Sequence, residues 1–145
     1  MRNRIYIFIL SIPFFISCNT KPQPLVIGKD ECYFCKMPVA DPKFGAEIIT
    51  QKGKLYKFDD TICMINFMKE GLVADEKIKD LLNVDYSSNQ NLLNVNTAVF
   101  LVSENLHTPM NSGIAAFASR SQAETFLKDF PGEILTWQQL QSKLK

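Results

Sequence analysis

A chain of 145 residues with 46% hydrophobic and 21% charged residues has room for one modest domain or two very small ones, and it is not the composition of a disordered protein. The formal charge of +1 comes with no Lys/Arg cluster, which argues against nucleic acid as a partner.

The first element is a targeting segment, "MRNRIYIFILSIPFFISC". Arg2 and Arg4 precede an apolar run from Ile5 to Ile16, too short to span a bilayer at about 20 residues but suited to a signal-peptide core. Ser17-Cys18 reads as a bacterial lipobox with Phe15 where Leu is usual, so residues 1–17 are expected to be removed and Cys18 lipidated; an ordinary secretory signal cleaved nearby is the alternative. The mature chain then carries 14 basic and 15 acidic residues. It is expected in the cell envelope, anchored to a membrane and facing the periplasm. Asn19, in place of an inner-membrane retention Asp, favours the outer membrane. Residues 18–29, with "NTKPQP", read as a polar tether.

Next comes "ECYFCKMPVA", residues 31–40. Pro38 holds Met37 extended, and an extended Lys36 would put the Cys35 thiol and the Met37 thioether on one side of the chain, with Cys32 reaching the same point across a turn. Zinc has little use for a thioether, whereas Cu(I) accepts thiolate and thioether together. Haem attachment would need His where Lys36 stands. A thioredoxin-like helix opening at Cys32 conflicts with Met37-Pro38. A Cys32–Cys35 disulfide, or neither role, stays open on spacing alone. With Cys63 the mature chain would keep an odd count of three further cysteines; Cys63, among Ile62, Ile65 and Phe67, reads as a core residue.

Residues 46–51 and 54–58 read as two strands turned at Lys52-Gly53, and "DDTICMINFMKEG" as a helix capped by Asp59 or Asp60 and stopped at Gly71. Residues 78–86 contain a third strand, and "SSNQN" (87–91) is the best boundary. The plan then repeats: strands at 97–102 and 113–118, a helix in "SRSQAETFLKDFPG" opened by a Ser119/Gln122 or Ser121/Glu124 box, a strand in "EILTW", and a last helix capped by Thr136. "FDDTICMINFMKE" (58–70) aligns with "FASRSQAETFLKD" (117–129) without a gap. The expected fold is α+β: two related ββαβ units in tandem, residues 30–88 and 89–145, with a C-terminal helix. The second unit's strand-connecting loop, "ENLHTPMNSG" (104–113), offers His107 and Met110 as further soft-metal ligands.

"CKMPV", "FDDTICM", "VDY" and "TPMNSGIAAFASRSQAETF" together resemble the NosL family of copper-binding lipoproteins, over roughly residues 30–135. The resemblance implies a Cu(I) chaperone for the copper–sulfur centre of nitrous oxide reductase in denitrification, not an enzyme, fed in turn by a membrane copper exporter. It implies Cys35, Met37 and Met110 as metal ligands; Cys32, as a further ligand, a redox partner for Cys35 or neither, and His107 stay candidates from the residues themselves. Two departures stand out: the family commonly has Gly where this chain has Lys36, and Cys32 is an extra thiol. Rivals from the residues themselves are a thiol–disulfide redox lipoprotein using Cys32 and Cys35 and a structural lipoprotein with a stapled loop; a lyase-like enzyme is a rival through the fold analogy that the resemblance implies.

Overall fold

The computed structural model describes residues 20–88 and 91–144; the signal segment and Cys18 lie outside them. The fold is mixed α+β with two antiparallel sheets. In the first, strand β1 (Ala46–Thr50) is flanked by β2 (Leu55–Phe58) and β3 (Ile78–Val84), and β4 (Leu92–Asn94) extends the β3 edge, in the order β2-β1-β3-β4. In the second, β5 (Val99–Val102) is flanked by β6 (Ile114–Phe117) and β7 (Glu133–Thr136), in the order β6-β5-β7. Helix α1 (Thr61–Lys69) follows β2, α2 (Arg120–Phe126) follows β6, and α3 (Trp137–Lys143) closes the chain. Both units therefore place their first strand centrally and their helix after the second strand, the duplicated plan that the alignment of 58–70 with 117–129 implies. Among the described residues no helix is long and apolar enough to cross a membrane.

The helix starts are set by short polar side chains. Asp60, not Asp59, caps α1 by accepting from the Ile62 N–H, Ser119 caps α2, and Thr136 with Gln139 forms a capping box on α3. The aligned positions 60 and 119 are thus both N-caps.

Helix α1 is buried on most sides because it lies between the two sheets. One cluster joins Ala46, Ile48 and Phe58 of the first sheet to Met64 and Phe67 of α1, Phe100 and Ile114 of the second sheet, and Trp137 of α3. Fully burying one such large side chain stabilises by roughly 1.5–3 kcal/mol. A second cluster packs α2 onto the other face of β5 and β6 through Leu101, Phe117 and Ala123. A parallel bridge, Asp85 with Ala116, and the Tyr86 N–H on the Ala116 carbonyl tie the units edge to edge.

Two features lay beyond the sequence reading. Residues 92–94, past the expected boundary, pair with β3 and belong to the first sheet. The described part of the expected tether, residues 20–29, runs along the first unit. Leu25 is fully buried with Val39 and Val84 beside Gly45, where a Cβ would meet Leu25 Cδ2 at 2.5 Å. The Gln23 N–H donates to Glu47, Lys57 Nζ reaches the Pro24 carbonyl and Asp30, and Thr20 Oγ1 donates to the Gly53 carbonyl at 2.6 Å.

Candidate metal centre

The cysteine segment is a tight hairpin. The Cys32 N–H donates to the Met37 carbonyl, the Lys36 N–H to the Cys32 carbonyl, and Glu31 bridges Pro38. Closing so short a loop requires Lys36 in the left-handed region, at φ 63°. Such a backbone costs a non-glycine residue about 1 kcal/mol. It also corrects the expectation of an extended Lys36: Cys35 and Met37 are not i, i+2 neighbours on a strand. Tyr33 seats the hairpin on the first unit, edge-on to Tyr56 and Phe67, with its N–H on the Lys57 carbonyl.

Cys63 completes the site. It is the third residue of α1, and the Sγ atoms of Cys32, Cys35 and Cys63 all lie within 4.8 Å of one another. All three are free thiols; Cys32 and Cys63 are buried and Cys35 is half-buried. Cys63 is a core residue, as its apolar neighbours suggest, and a member of the thiol cluster as well. The odd cysteine count was the available signal, since a third thiol without a partner is what a three-sulfur cluster requires.

The electrostatics favour one thiolate. The Cys63 S–H directed at Cys32 is the largest influence on it; opposed by burial and joined by the N–H groups of Asp59, Cys35 and Phe34, it holds the Cys32 pKa down at about 5. The N-terminal end of α1 adds a field of the same sign. Cys63 is pushed far up by donating to that thiolate and by burial. Burial raises Cys35, although the Met37 N–H points at its sulfur. Next to this cluster, the buried Asp59 accepts from the Ala40 N–H through Oδ1, while its Oδ2 has no hydrogen-bond partner among the described residues; burial, and then the Cys32 charge, raise its pKa.

The second unit's loop hangs from the same helix end. Asp60 Oδ2 accepts from Thr108 Oγ1 at 2.6 Å and from the Met110 N–H at 3.0 Å, while Oδ1 accepts from Ser112 Oγ and the Ile62 N–H. Gly113, at φ 65°, closes the loop against Ser103, whose carbonyl oxygen would lie 2.2 Å from an added Cβ. Met110 and the thiols thus share the start of α1 as their support. The Met110 side chain is 38% exposed and that of Met37 48%. His107 is exposed on the same loop and is not part of the three-thiol cluster.

A soft-metal ion fits this donor set. Three sulfurs converge, one of them favoured as thiolate, and among the described residues no fourth Cys, His or carboxylate joins the group to close a zinc cage. The comparisons with known proteins agree with the fold. The family model described as NosL matches residues 25–144. The crystal structure of the copper chaperone NosL from Shewanella denitrificans is similar at a TM-score of 0.68, with 19% sequence identity over 82% of this chain and 94% of that one. No curated protein matches the sequence significantly.

Proposed function

We propose a copper-handling role from one premise: the chain belongs to the NosL family. In this reading it is a metallochaperone, not an enzyme. It is anchored through Cys18 to a bacterial membrane, favouring the outer one, and faces the periplasm. It takes Cu(I) from a donor such as a membrane exporter and passes it to a copper-requiring acceptor, nitrous oxide reductase. The observation that carries the reading is the convergence of Cys32, Cys35 and Cys63 within 4.8 Å beside a half-exposed Met37.

The arrangement divides the labour of holding and releasing. Cys32 and Cys63 form the shielded floor, and the half-buried Cys35 is the thiol an incoming ligand reaches first. Met37, on the same hairpin, and Met110, on the Asp60-held loop, supply neutral thioethers that bind a soft ion without trapping it. Exchange then proceeds by attack of the acceptor's sulfurs from the exposed side, each replacing one donor through a shared intermediate. Because the surroundings lower the Cys32 pKa and raise those of Cys35 and Cys63, loading all three sulfurs near neutral pH should release about two protons.

The redox reading, a Cys32/Cys35 dithiol, draws on the lowered Cys32 pKa. Against it stands the full burial of Cys32, which keeps the most ionised thiol from a protein disulfide.

An anaerobic Cu(I) competition titration against a chromophoric chelator tests the proposal. Tight one-to-one binding is expected, largely abolished in Cys35→Ser and weakened in the Met37→Leu/Met110→Leu double variant. Wild-type affinity in Cys35→Ser would sink the site assignment. Turnover of a disulfide substrate, together with indifference to both methionines, would transfer the case to the redox reading.

A further inference from the structure

The N-terminal end of the described chain is fixed at one place. Thr20 Oγ1 holds the Gly53 carbonyl at 2.6 Å, on the turn between β1 and β2. That turn is braced: Gly53 and Lys54 donate their N–H groups to the Thr50 carbonyl and Thr50 Oγ1, and Thr50 donates its own to the Lys54 carbonyl. Gln51 carries the bracing onward, its N–H on the Lys77 carbonyl and its Nε2 on the Glu76 carbonyl. The turn, residues 75–77 and Thr20 therefore form one rigid corner of the molecule.

An open cleft of about 490 Å³ lies at this corner, lined by Lys52, Lys54, Lys77, Tyr56 and Leu72 among others. Leu72 is 53% exposed. Lys54 stands over the Tyr56 ring at 4.5 Å and the Tyr33 ring at 5.2 Å, with its ammonium directed by them. Lys21, exposed, follows Thr20 directly. Against these four lysines stand Asp75 and Glu76, so the corner remains net positive.

Only Asn19 lies between Cys18 and Thr20, and two residue steps span at most about 7 Å. A lipid on Cys18 thus has no length in which to let the domain tumble freely. It sets the Gly53 turn against the headgroups, with the lysines at the depth of the lipid phosphates and Leu72 where an apolar side chain enters the interface. We infer that the corner formed by Lys52, Lys54, Leu72 and Lys77 is a membrane-docking face that lies on the anionic lipid surface and fixes the orientation of the anchored protein. The inference rests on the lipid anchor of the proposed function. It would hold the cysteine hairpin close to the bilayer, since Tyr33, next to Cys32, shares the Lys54 ammonium with this corner.

The test uses the full lipidated chain with Leu72→Trp, in vesicles of brominated phosphatidylcholine and phosphatidylglycerol. Trp137 is the only native tryptophan and is buried, so wild-type emission gives the baseline. The added emission is expected to be quenched by the brominated lipid. Quenching is expected to be lost when Lys52→Glu, Lys54→Glu and Lys77→Glu are combined with it, each lysine contributing about fivefold to attraction by an anionic surface. Intact mass of the same preparation reports the anchor separately. A lipid-bearing Leu72→Trp protein whose added emission is indifferent to bromination overturns the docking face alone. A mass without lipid on Cys18 overturns the anchor and the inference with it. Quenching that survives the triple reversal overturns the role of the lysines and with it the proposed face.

Discussion

The two strand–strand–helix–strand units meet their helices at the same aligned positions, and the chemistry differs there completely. In the first unit, Asp59, Asp60 and Cys63 surround the start of α1; their counterparts in the second are Ala118, Ser119 and Gln122. Both junctions cap a helix and bury a phenylalanine, Phe58 and Phe117. The fold therefore needs the cap and the aromatic, but neither the thiol nor the acids. A second contrast lies in the central strands. Glu47 of β1 and Phe100 of β5 hold matching registers, one paired with Lys57 and Leu82, the other with Ala116 and Leu135. Phe100 packs its face against the α1 and α3 side, whereas Glu47 lies under residues 20–30 with Oε1 unpaired among the described residues. One copy keeps the plain solution, and the other has traded packing for polar groups.

The largest expected effect lies at the helix starts. Removing one of three thiolates takes away roughly 3 kcal/mol of a metal-binding free energy on the order of 10 kcal/mol, about 100-fold in affinity. Cys63→Ala should lose that much in a Cu(I) competition titration, while Gln122→Ala at the matched position leaves affinity unchanged; equal affinities would break the comparison. The caps come next. Asp60→Ala strips away a buried carboxylate with four hydrogen bonds and should cost about 3 kcal/mol, against about 1 kcal/mol for Ser119→Ala at an exposed cap, both read by urea unfolding. The gap should appear as a loosened 108–112 loop in hydrogen exchange of Asp60→Ala only.

The smallest effect is at Glu47. Burial raises its pKa from 4.5 to about 7, outweighing the Gln23 N–H and the Lys57 charge. The folded state thus holds a proton that the unfolded state has released, so this group's contribution is intact below pH 4.5 and is lost as pH rises to about 7. Glu47→Gln should exceed the wild type in stability above pH 7 by about 3 kcal/mol, with the difference vanishing near pH 4. A constant difference across that range would place the effect outside titration.

Regular elements were legible because their signals are local. The Asp59-Asp60 and Ser119–Ser121 stretches as helix starts, Gly71 as a stop, and the alternation in 46–51 and 54–58 needed no tertiary knowledge, whereas α2 stops at Phe126, before the Pro131-Gly132 that ends its sequence stretch. Residues 92–94 were missed because three residues carry no period. The thiol cluster was half legible: Cys32, Cys35 and Met37 are sequence neighbours. Cys63 enters through the docking of α1, and its apolar neighbours record burial without recording what it is buried against. The left-handed Lys36 was hidden for a related reason, since a lysine gives no sign of a backbone conformation that glycine would advertise.

Helix α1 lies between two sheets, one formed by residues on both sides of it and the other entirely downstream, from Val99 onward. The part of the apolar contact of α1 that Phe100 and Ile114 supply cannot exist until the second sheet has been made. Folding should accordingly be a single cooperative event, with residues 20–88 alone unable to reach the native state. A chain emerging from a translocation pore would carry its three thiols unassembled until nearly its last residue had crossed. Under the proposed function, the timing of copper competence would thereby be set by chain topology, whatever the supply of metal.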